Sequence, residues 1–270
     1  MDNRAIGIYD SGIGGLTALK TLRRLMPEEN IVFFADSGRL PYGPRPQEEL
    51  RAFARQDMAF LGRFGVKAIL AACGTISSAA AAEIAAWPVP AFGVLEPAIE
   101  AMAAVEGAAP LAVLATEGSI RSGRFTGPLR ARCPGREVLG LACPDFAPAI
   151  EAGHIRPEDP VLREITTRTL APLKEAGCAA VLLGCTHYGI IADAIREVLG
   201  PGPALISAAD CGARQLCDYL RAAGLEARGG GRTEFYISCG PRDFEDFAGR
   251  WLEQGPVRAV QVPREELERL

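Results

Sequence analysis

Histidine is scarce in this 270-residue sequence, and the cysteines do not occur in paired motifs. His154 and His187 are the only histidines, and none of the eight cysteines belongs to a Cys-x-x-Cys pair. A zinc site would need cysteine ligands at spacings that the sequence lacks, and a chain of this length does not depend on disulfides for its core. We therefore expect no bound metal and no disulfide framework.

The sequence also lacks a surplus of positive charge and any long apolar run. Lys and Arg number 29 against 33 Asp and Glu, which gives a net charge of −4. Nucleic acid and anionic lipid surfaces are therefore not expected partners. No run approaches the roughly 20 apolar residues of a membrane helix, and the N-terminal segment is too weakly apolar for a secretory signal. We expect a cytoplasmic protein with no membrane partner.

Short apolar runs alternate with amphipathic stretches along the whole chain. The alternation predicts an α/β fold, and runs that are apolar on both faces predict mainly parallel sheets flanked by helices. Helical patterns are clearest in GLTALKTLRRLM, EELRAFARQDMAFLGRFG and VLREITTRTLAPLKEAG, and the Ala-rich stretch SSAAAAEIAA (77–86) also predicts a helix. The predicted strands are 5–10, 31–36, 68–73, 91–96, 111–116, 137–143, 180–185, 204–209 and 233–238.

Several of the predicted strands end in a residue that can take part in chemistry. Parallel sheets bind ligands beyond the carboxyl ends of their strands, so these side chains are expected to gather at one or two clefts. Any single Asp or Cys in such a position is often only a turn former or a core filler. The strand-end residues are Asp10, Asp36, Cys73, Glu96, Thr116, Cys143 and Cys185.

We predict two similar lobes with the active site in the cleft between them. Residues 1–95 and 210–270 would form the first lobe and residues 96–209 the second, so that each lobe carries one of two similar cysteine segments. A division into two domains near the middle of the chain is the alternative.

Two loops that follow predicted strands have the composition of binding loops. DSGIGGLTALK (10–20) joins a strand to a helix, and its glycines could present backbone N–H groups to an anion or simply form a tight turn. SGRLPYGPRP (37–46) is stiff and rich in Pro and Gly, so that Tyr42 and Gly43 could reach a ligand. A rigid surface crossing would give the same pattern.

The segments LAACGTIS (70–77) and LLGCTHYG (182–189) place Cys73 and Cys185 in matching surroundings. Each cysteine ends an apolar run and precedes a helical pattern, where the helix N-terminus is expected to lower the thiol pKa. A lone buried cysteine is more often a packing residue, but the repeated context favours a function.

Two thiols that face each other across a cleft have three uses: a redox disulfide, a soft-metal site, or acid–base chemistry on opposite faces of one carbon. The first lacks a Cys-x-x-Cys pair and the second lacks further ligands. The third is the inversion of a stereocentre, in which one thiolate removes the Cα proton and the opposite thiol supplies another. This chemistry needs no cofactor. Asp10 and His187 could control the protonation of the thiols, and Ser11, Thr75 and Thr186 could hold substrate carboxylates.

The chain resembles the glutamate racemases of the cofactor-independent aspartate/glutamate racemase superfamily. The similarity extends over nearly the whole length, in IGIYDSGIGGLTALK, FFADSGRLPYGP, AACGTISSA, GVLEPA, ACPDFAPAIEAG, LLGCTHYGII and FYISCGPRDFEDFAGRWL, with PYGP and GCTHY as the most specific segments. The resemblance implies two α/β lobes and the conversion of L-glutamate to D-glutamate for peptidoglycan synthesis, without a cofactor. We also expect a homodimer.

The resemblance further implies a role for each matching residue. Cys73 would act on the D enantiomer and Cys185 on the L enantiomer, assisted by Asp10, Glu151 and His187, with Asp36 a weaker candidate. The substrate-binding residues that it implies are Asp10, Ser11, Tyr42, Gly43, Gly74, Thr75, Thr116, Ser119, Thr186 and His187.

One position departs from the family pattern, which has Cys-Asn-Thr where this chain has Cys73-Gly74-Thr75. A hydrogen bond to a charged group contributes about 1.5–3 kcal/mol, so the missing amide could weaken glutamate binding unless another group compensates. A Gly74→Asn change is expected to tighten binding if the pocket is otherwise ordinary. The departure leaves two alternatives open: racemisation of another amino acid such as aspartate, and a racemase-like binding protein of weakened activity.

Overall fold

The computed structural model describes residues 1–253 and 255–270 and divides the chain between two parallel sheets. The strands are β1 Ile6–Asp10, β2 Ile31–Ala35, β3 Ala68–Ala71, β4 Ala91–Gly93, β5 Leu111–Ala115, β6 Val138–Ala142, β7 Ala180–Leu183, β8 Ala204–Ser207, β9 Thr233–Ile237 and β10 Ala259–Gln261.

Thirteen α-helices lie among the described residues, and three one-turn 3-10 helices, Ile13–Gly15, Ser37–Arg39 and Thr186–Gly189, come after strands. The α-helices are α1 Leu16–Leu25, α2 Gln47–Gly62, α3 Gly74–Ala79, α4 Ala81–Ala85, α5 Leu95–Ala103, α6 Glu117–Ser122, α7 Thr126–Arg132, α8 Phe146–Glu151, α9 Pro160–Ala176, α10 Ala192–Leu199, α11 Ala208–Ala222, α12 Pro241–Trp251 and α13 Arg264–Leu267.

The first sheet has six strands in the order β10-β9-β2-β1-β3-β4, all parallel. Its three central strands, β2, β1 and β3, are buried along their whole length. This burial on both faces explains why they read as continuous apolar runs rather than as alternating patterns.

The second sheet has four parallel strands in the order β6-β5-β7-β8. The two central strands are fully buried, and the edge strands β6 and β8 are partly exposed. The predicted α/β fold of two parallel sheets flanked by helices is confirmed. Since the carboxyl ends of parallel strands share one edge of a sheet, Cys73 after β3 and Cys185 after β7 each lie at a ligand-binding edge.

Four details differ from the sequence-based prediction. The predicted strands run up to three residues too far, and Glu96 lies in the first turn of α5, where its side chain pairs with Arg132, rather than at a strand end. The short strand β10 was not predicted. The Ala-rich stretch is not one helix, because α3 ends at Ala79 and α4 begins at Ala81. The hydroxyl of Ser77 in α3 bonds backbone groups of Ala71 and Val94, which fixes α3 to the ends of β3 and β4.

Helix α11 packs against α1 and α5 and so contacts elements that flank both sheets. It begins at Ala208, so the predicted lobe boundary at 209/210 falls in its first turn. The exact bounds of the lobes stay a prediction. No helix of the described chain combines the length and the apolar character that crossing a bilayer requires.

Candidate active site between the two sheets

A cavity of about 240 Å³ lies between the carboxyl edges of the two sheets, and both Cys73 and Cys185 line it. Loops after β1, β2 and β3 form one wall, and segments after β5, β6 and β7 form the other. Of the residues predicted for the site, eight line the cavity directly: Ser11, Tyr42, Gly43, Cys73, Thr75, Thr116, Cys185 and His187. The other predicted residues contact this set or pack across the seam behind it.

The Cys73 thiol is buried at the N-terminus of α3 and lies 3.7 Å from the Ser11 hydroxyl. Burial and the neighbouring Asp10 carboxylate raise the pKa of the Cys73 thiol to about 12. The expected lowering of this pKa by the helix N-terminus is therefore wrong, because desolvation of the thiolate and repulsion by Asp10 outweigh the helix field. At neutral pH Cys73 carries its proton and is suited to donate it.

Cys185 has a different environment. Its Sγ atom lies 3.8 Å from Nδ1 of His187, and Nε2 of the same ring lies 2.6 Å from Glu151 Oε1. Burial lowers the pKa of His187, but its hydrogen bonds with Cys185 and Glu151 outweigh burial and raise the pKa well above its ordinary value. The imidazole can therefore take the Cys185 proton and hold it as part of a thiolate–imidazolium–carboxylate row. Cys185 precedes a 3-10 turn and not the predicted α-helix. Its described proton-transfer partner is therefore the His187 side chain and not the N-terminus of an α-helix.

Asp10 does not line the cavity but links the two walls behind it. The carboxylate accepts a hydrogen bond from the Thr186 hydroxyl at 3.1 Å and one from the Gly12 backbone at 3.0 Å. Burial raises the pKa of Asp10. Asp10 and Thr186 thus lie where they can influence Cys73 and hold the two walls in register.

The glycines after β1 allow close approach of the two sheets. A Cβ atom at Gly12 would lie 2.9 Å from Glu151 Oε1, and one at Gly14 would overlap Thr186 and His187. The loop contributes Ser11 to the cavity lining. The glycines therefore make room for the histidine row, which favours this function over an anion site at the start of α1.

The loop after β2 lines the cavity from Leu40 to Pro44. The Tyr42 side chain turns away from the cavity, and its hydroxyl donates to Asp36. In the described part of the chain, the backbone N–H groups of Tyr42 and Gly43 donate no hydrogen bond, so both are free for a ligand. Asp36 does not face the cavity, because its carboxylate is held by Arg39, Tyr42 and Ser238.

A row of hydroxyls crosses the cleft at the far end of the cavity. The hydroxyl of Thr75 on one wall lies 3.4 Å from that of Thr116 on the other, and Thr116 donates to Ser119 at 3.1 Å. Thr116 also caps α6 by accepting from the Ser119 backbone. The predicted distal residues thus form a polar contact between the lobes.

Gly74 is buried against the opposite wall, and a Cβ atom there would overlap the backbone oxygen of Gly184. The space that an asparagine side chain would need is therefore taken by the backbone before Cys185. The expected tightening by Gly74→Asn is conditional on an ordinary pocket and stays a prediction, but the overlap with Gly184 argues against it, because a side chain would push the two walls apart.

Some lining residues were not predicted as site residues. Most lie within or next to the segments PYGP, ACPDFAP and THYG, and Glu117 follows Thr116. They are Leu40, Pro41, Pro44, Glu117, Cys143, Pro144, Ala147, Pro148 and Tyr188. Cys143 was expected at the sheet edge as a strand-end residue but was given no role in the site. Over the described residues, no group of three or more His, Cys, Asp and Glu side chains is arranged to hold a metal ion. The expectation of a reaction without metal or cofactor stays a prediction.

Comparisons with known proteins agree with this geometry. A family model described as Asp/Glu/hydantoin racemase matches residues 17–216. A glutamate racemase of Streptococcus equi subsp. equi is 37% identical over 258 residues, which cover 94% of this chain and 97% of the relative.

Solved structures of two glutamate racemases are similar over nearly the whole chain. A Bacillus anthracis isoform matches with a TM-score of 0.89 and 31% identity, covering 98% of this chain and 99% of the other. The Thermus thermophilus protein, in complex with β-chloro-D-alanine, matches with a TM-score of 0.85 and 37% identity, covering 98% of this chain and 100% of the other.

Proposed function

The chain belongs to the Asp/Glu/hydantoin racemase family, and we propose that it interconverts L- and D-glutamate with Cys73 and Cys185 as the two acid–base groups. The single observation that carries the proposal is that both thiols line one cavity from opposite sheets. A carbon atom held between them would meet one sulfur on each face.

The partners of the two thiols suit the direction from L- to D-glutamate, because Cys185 contacts a proton acceptor and Cys73 holds a proton. The Cys185 thiolate, formed by transfer of its proton to His187, removes the Cα proton of L-glutamate, and the electron pair moves onto the α-carboxylate as an enolate-like intermediate. Cys73, which is protonated at neutral pH, donates its proton to the opposite face. The reverse reaction exchanges the two roles.

The polar groups around the cavity are suited to hold a dicarboxylate, although the lining of the described chain contains no Lys or Arg side chain. In the proposed binding mode the hydroxyls of Ser11 and Thr75 would hold the α-amino acid end, and the N–H groups of Tyr42 and Gly43 would meet the side-chain carboxylate. Thr186 lies behind the lining, where its hydroxyl donates to Asp10, and would assist from there. Glu151 would orient His187, and Asp10 would act on Cys73. D-glutamate made in this way would supply peptidoglycan synthesis, and we propose a homodimer located in the cytoplasm.

A chiral assay of the common amino acids, with no added cofactor, tests this function. Each pure enantiomer is incubated with the protein, and the product is resolved by chiral chromatography. The proposal expects glutamate to racemise fastest by a wide margin. Preferred turnover of aspartate or another amino acid would replace the substrate, and no turnover of any amino acid would favour a racemase-like binding protein.

A further inference from the structure

A buried arginine, Arg39, lies at the start of the loop that carries Tyr42 and Gly43. Arg39 is only 1% exposed, and its guanidinium contacts Asp36 at 2.5 Å, Asp57 at 2.6 Å and Gln56 at 2.5 Å. The hydroxyl of Tyr42 also donates to Asp36. We refer to Asp36, Arg39, Tyr42, Gln56 and Asp57 as the Arg39 cluster.

The cluster connects separate elements of the first lobe. Asp36 follows β2, Arg39 ends the 3-10 turn after it, and Gln56 and Asp57 lie in α2. The guanidinium also lies over the ring of Phe53 of α2, 4.1 Å from its centre. One planar cation therefore fixes the start of the loop to the end of a strand and to the middle of a helix.

The same loop is held from outside by a second arginine, so that its tip has little freedom. The backbone oxygen of Arg39 accepts from Arg45 Nη2 at 2.8 Å, and the Arg45 backbone donates to Tyr42 O at 3.1 Å. The tip faces the cavity and the other lobe, because Gly43 lies against Thr116 and its carbonyl leaves no room for a Cβ atom at Gly118.

The charges of the Arg39 cluster do not balance, which indicates that the cluster fixes the position of the loop rather than stabilising the fold. It buries two carboxylates with one guanidinium, and burial is the main cause that raises the pKa of both Asp36 and Asp57. Buried ion pairs of this kind are often no more stabilising than apolar side chains of the same volume. Such a cluster instead fixes the orientation of its side chains. The planar guanidinium donates to two carboxylates at once, and a lysine ammonium cannot do so in the same plane.

We propose that Arg39 is a positioning residue for substrate recognition, which sets the backbone N–H groups of Tyr42 and Gly43 at the position of the substrate's side-chain carboxylate. The inference rests on the proposed function. It assigns no chemical step to Arg39, since in the described part of the chain the side-chain hydrogen bonds of Cys73, Cys185 and His187 go to Ser11, to each other and to Glu151 and not to the cluster.

The test is steady-state kinetics of Arg39→Lys in both directions, with Arg55→Lys as the matched control. Arg55 belongs to α2 itself, but its side chain is 47% exposed and its ion pairs with Glu48 and Glu83 are loose, at 3.9 and 3.6 Å. Loss of the simultaneous guanidinium contacts with Asp36 and Asp57 should raise KM for both glutamate enantiomers about ten-fold, while kcat changes less than about three-fold. The control should match the wild-type protein in both parameters.

A second readout separates positioning from general damage. The rates at which iodoacetamide alkylates Cys73 and Cys185 should be the same in Arg39→Lys and in the wild-type protein, because the thiols lie on other strands. If Arg39→Lys does not fold, the isosteric Asp57→Asn carries the test with an expected rise in KM of about three-fold. An unchanged KM in the folded variant, or an equal fall in kcat, would overturn the inference, whereas a wild-type protein inactive on glutamate would instead refute the proposed function.

Discussion

The two thiols occupy equivalent places in two similar sheets, yet their surroundings differ. Cys73 is buried next to the Asp10 carboxylate, which together with burial raises its pKa to about 12. Cys185 is more exposed and contacts a histidine that is itself paired with Glu151. The repeated strand–cysteine–turn architecture therefore places the sulfurs, while neighbouring side chains give each thiol different partners for proton transfer.

This difference gives the two thiols complementary roles in proton transfer before substrate binds. One thiol is ready to donate a proton and the other can become a base, so a single protonation state contains both partners of an inversion. Because L- and D-glutamate have equal free energies, kcat/KM must be the same in both directions at every pH. The asymmetry must therefore appear in the separate values of kcat and KM and in the reactivity of each thiol.

The largest effect is expected from removal of either sulfur. Cys73→Ala and Cys185→Ala should each reduce net racemisation by about 10³-fold or more, because each removes the proton carrier on one face. In D₂O, Cys73→Ala should retain slow exchange of the Cα proton of L-glutamate only, and Cys185→Ala that of D-glutamate only. NMR of the recovered amino acid measures this exchange, and exchange of the same enantiomer by both variants would show that the faces are assigned wrongly.

Removing the histidine should affect one thiol and spare the other. In His187→Gln, racemisation is expected to fall about 10²-fold, since the proton acceptor of Cys185 is lost. Alkylation of Cys185 by iodoacetamide at pH 7 should slow about ten-fold, while that of Cys73 should not change. Site-resolved mass spectrometry follows both, and equal slowing of both cysteines would contradict separate environments.

The pH dependence of alkylation tests the raised pKa of Cys73 in the wild-type protein. With a pKa of about 12, only about one Cys73 in 10⁴ is ionised at pH 8, so its alkylation rate should rise about ten-fold per pH unit from pH 7 to 10. A plateau for Cys73 below pH 9 would show that burial and Asp10 do not hold its proton.

A smaller effect is expected at the contact between the two walls. Gly74→Ala should raise KM about ten-fold, because the added methyl group overlaps Gly184 and opens the cleft. Gly62→Ala is a matched control, since Gly62 ends α2 with no atom within 4 Å of an added Cβ. An unchanged KM in Gly74→Ala would mean that the walls can separate without affecting the site.

The smallest effect is expected at Ser207, whose side chain accepts a hydrogen bond from the Asp210 backbone at the start of α11. Ser207→Ala should lower the free energy of unfolding by about 1 kcal/mol, because a helix cap is lost. Ser207 does not line the cavity, and its described side-chain hydrogen bond goes only to Asp210, so kcat and KM should remain at the wild-type values. Urea denaturation and steady-state kinetics provide the two readouts, and a changed kcat would link helix α11 to the chemistry.

Much of the fold could be predicted from the sequence because its signals are local. Nine of the ten described strands, β1 to β9, appear as apolar runs, and helices such as α1 and α9 have regular apolar spacing. Strand β10 could not be found, because its three residues are mostly exposed and carry little apolar pattern. The break at Ala80 also escaped prediction, because an Ala-rich run carries no local signal for a helix end.

The site residues could be found from motifs at strand ends, but their pKa values and their packing across the cleft could not. No local pattern reveals that Cys73 is desolvated beside Asp10, or that the Gly74 backbone meets Gly184 from the other sheet. Arg39 was missed for the same reason, because its partner Asp57 is distant in sequence. Contacts between distant segments decide these properties.

Racemisation in D₂O tests the central claim most directly. Pure L-glutamate is incubated with the wild-type protein, and both enantiomers are isolated within the first few per cent of reaction and analysed for deuterium at Cα. Two thiols on opposite faces predict that the D-glutamate formed carries deuterium, while the recovered L-glutamate remains almost fully protiated. Equal labelling of the two enantiomers would mean that one group handles both faces, and the assignment of Cys73 and Cys185 to opposite faces would be wrong.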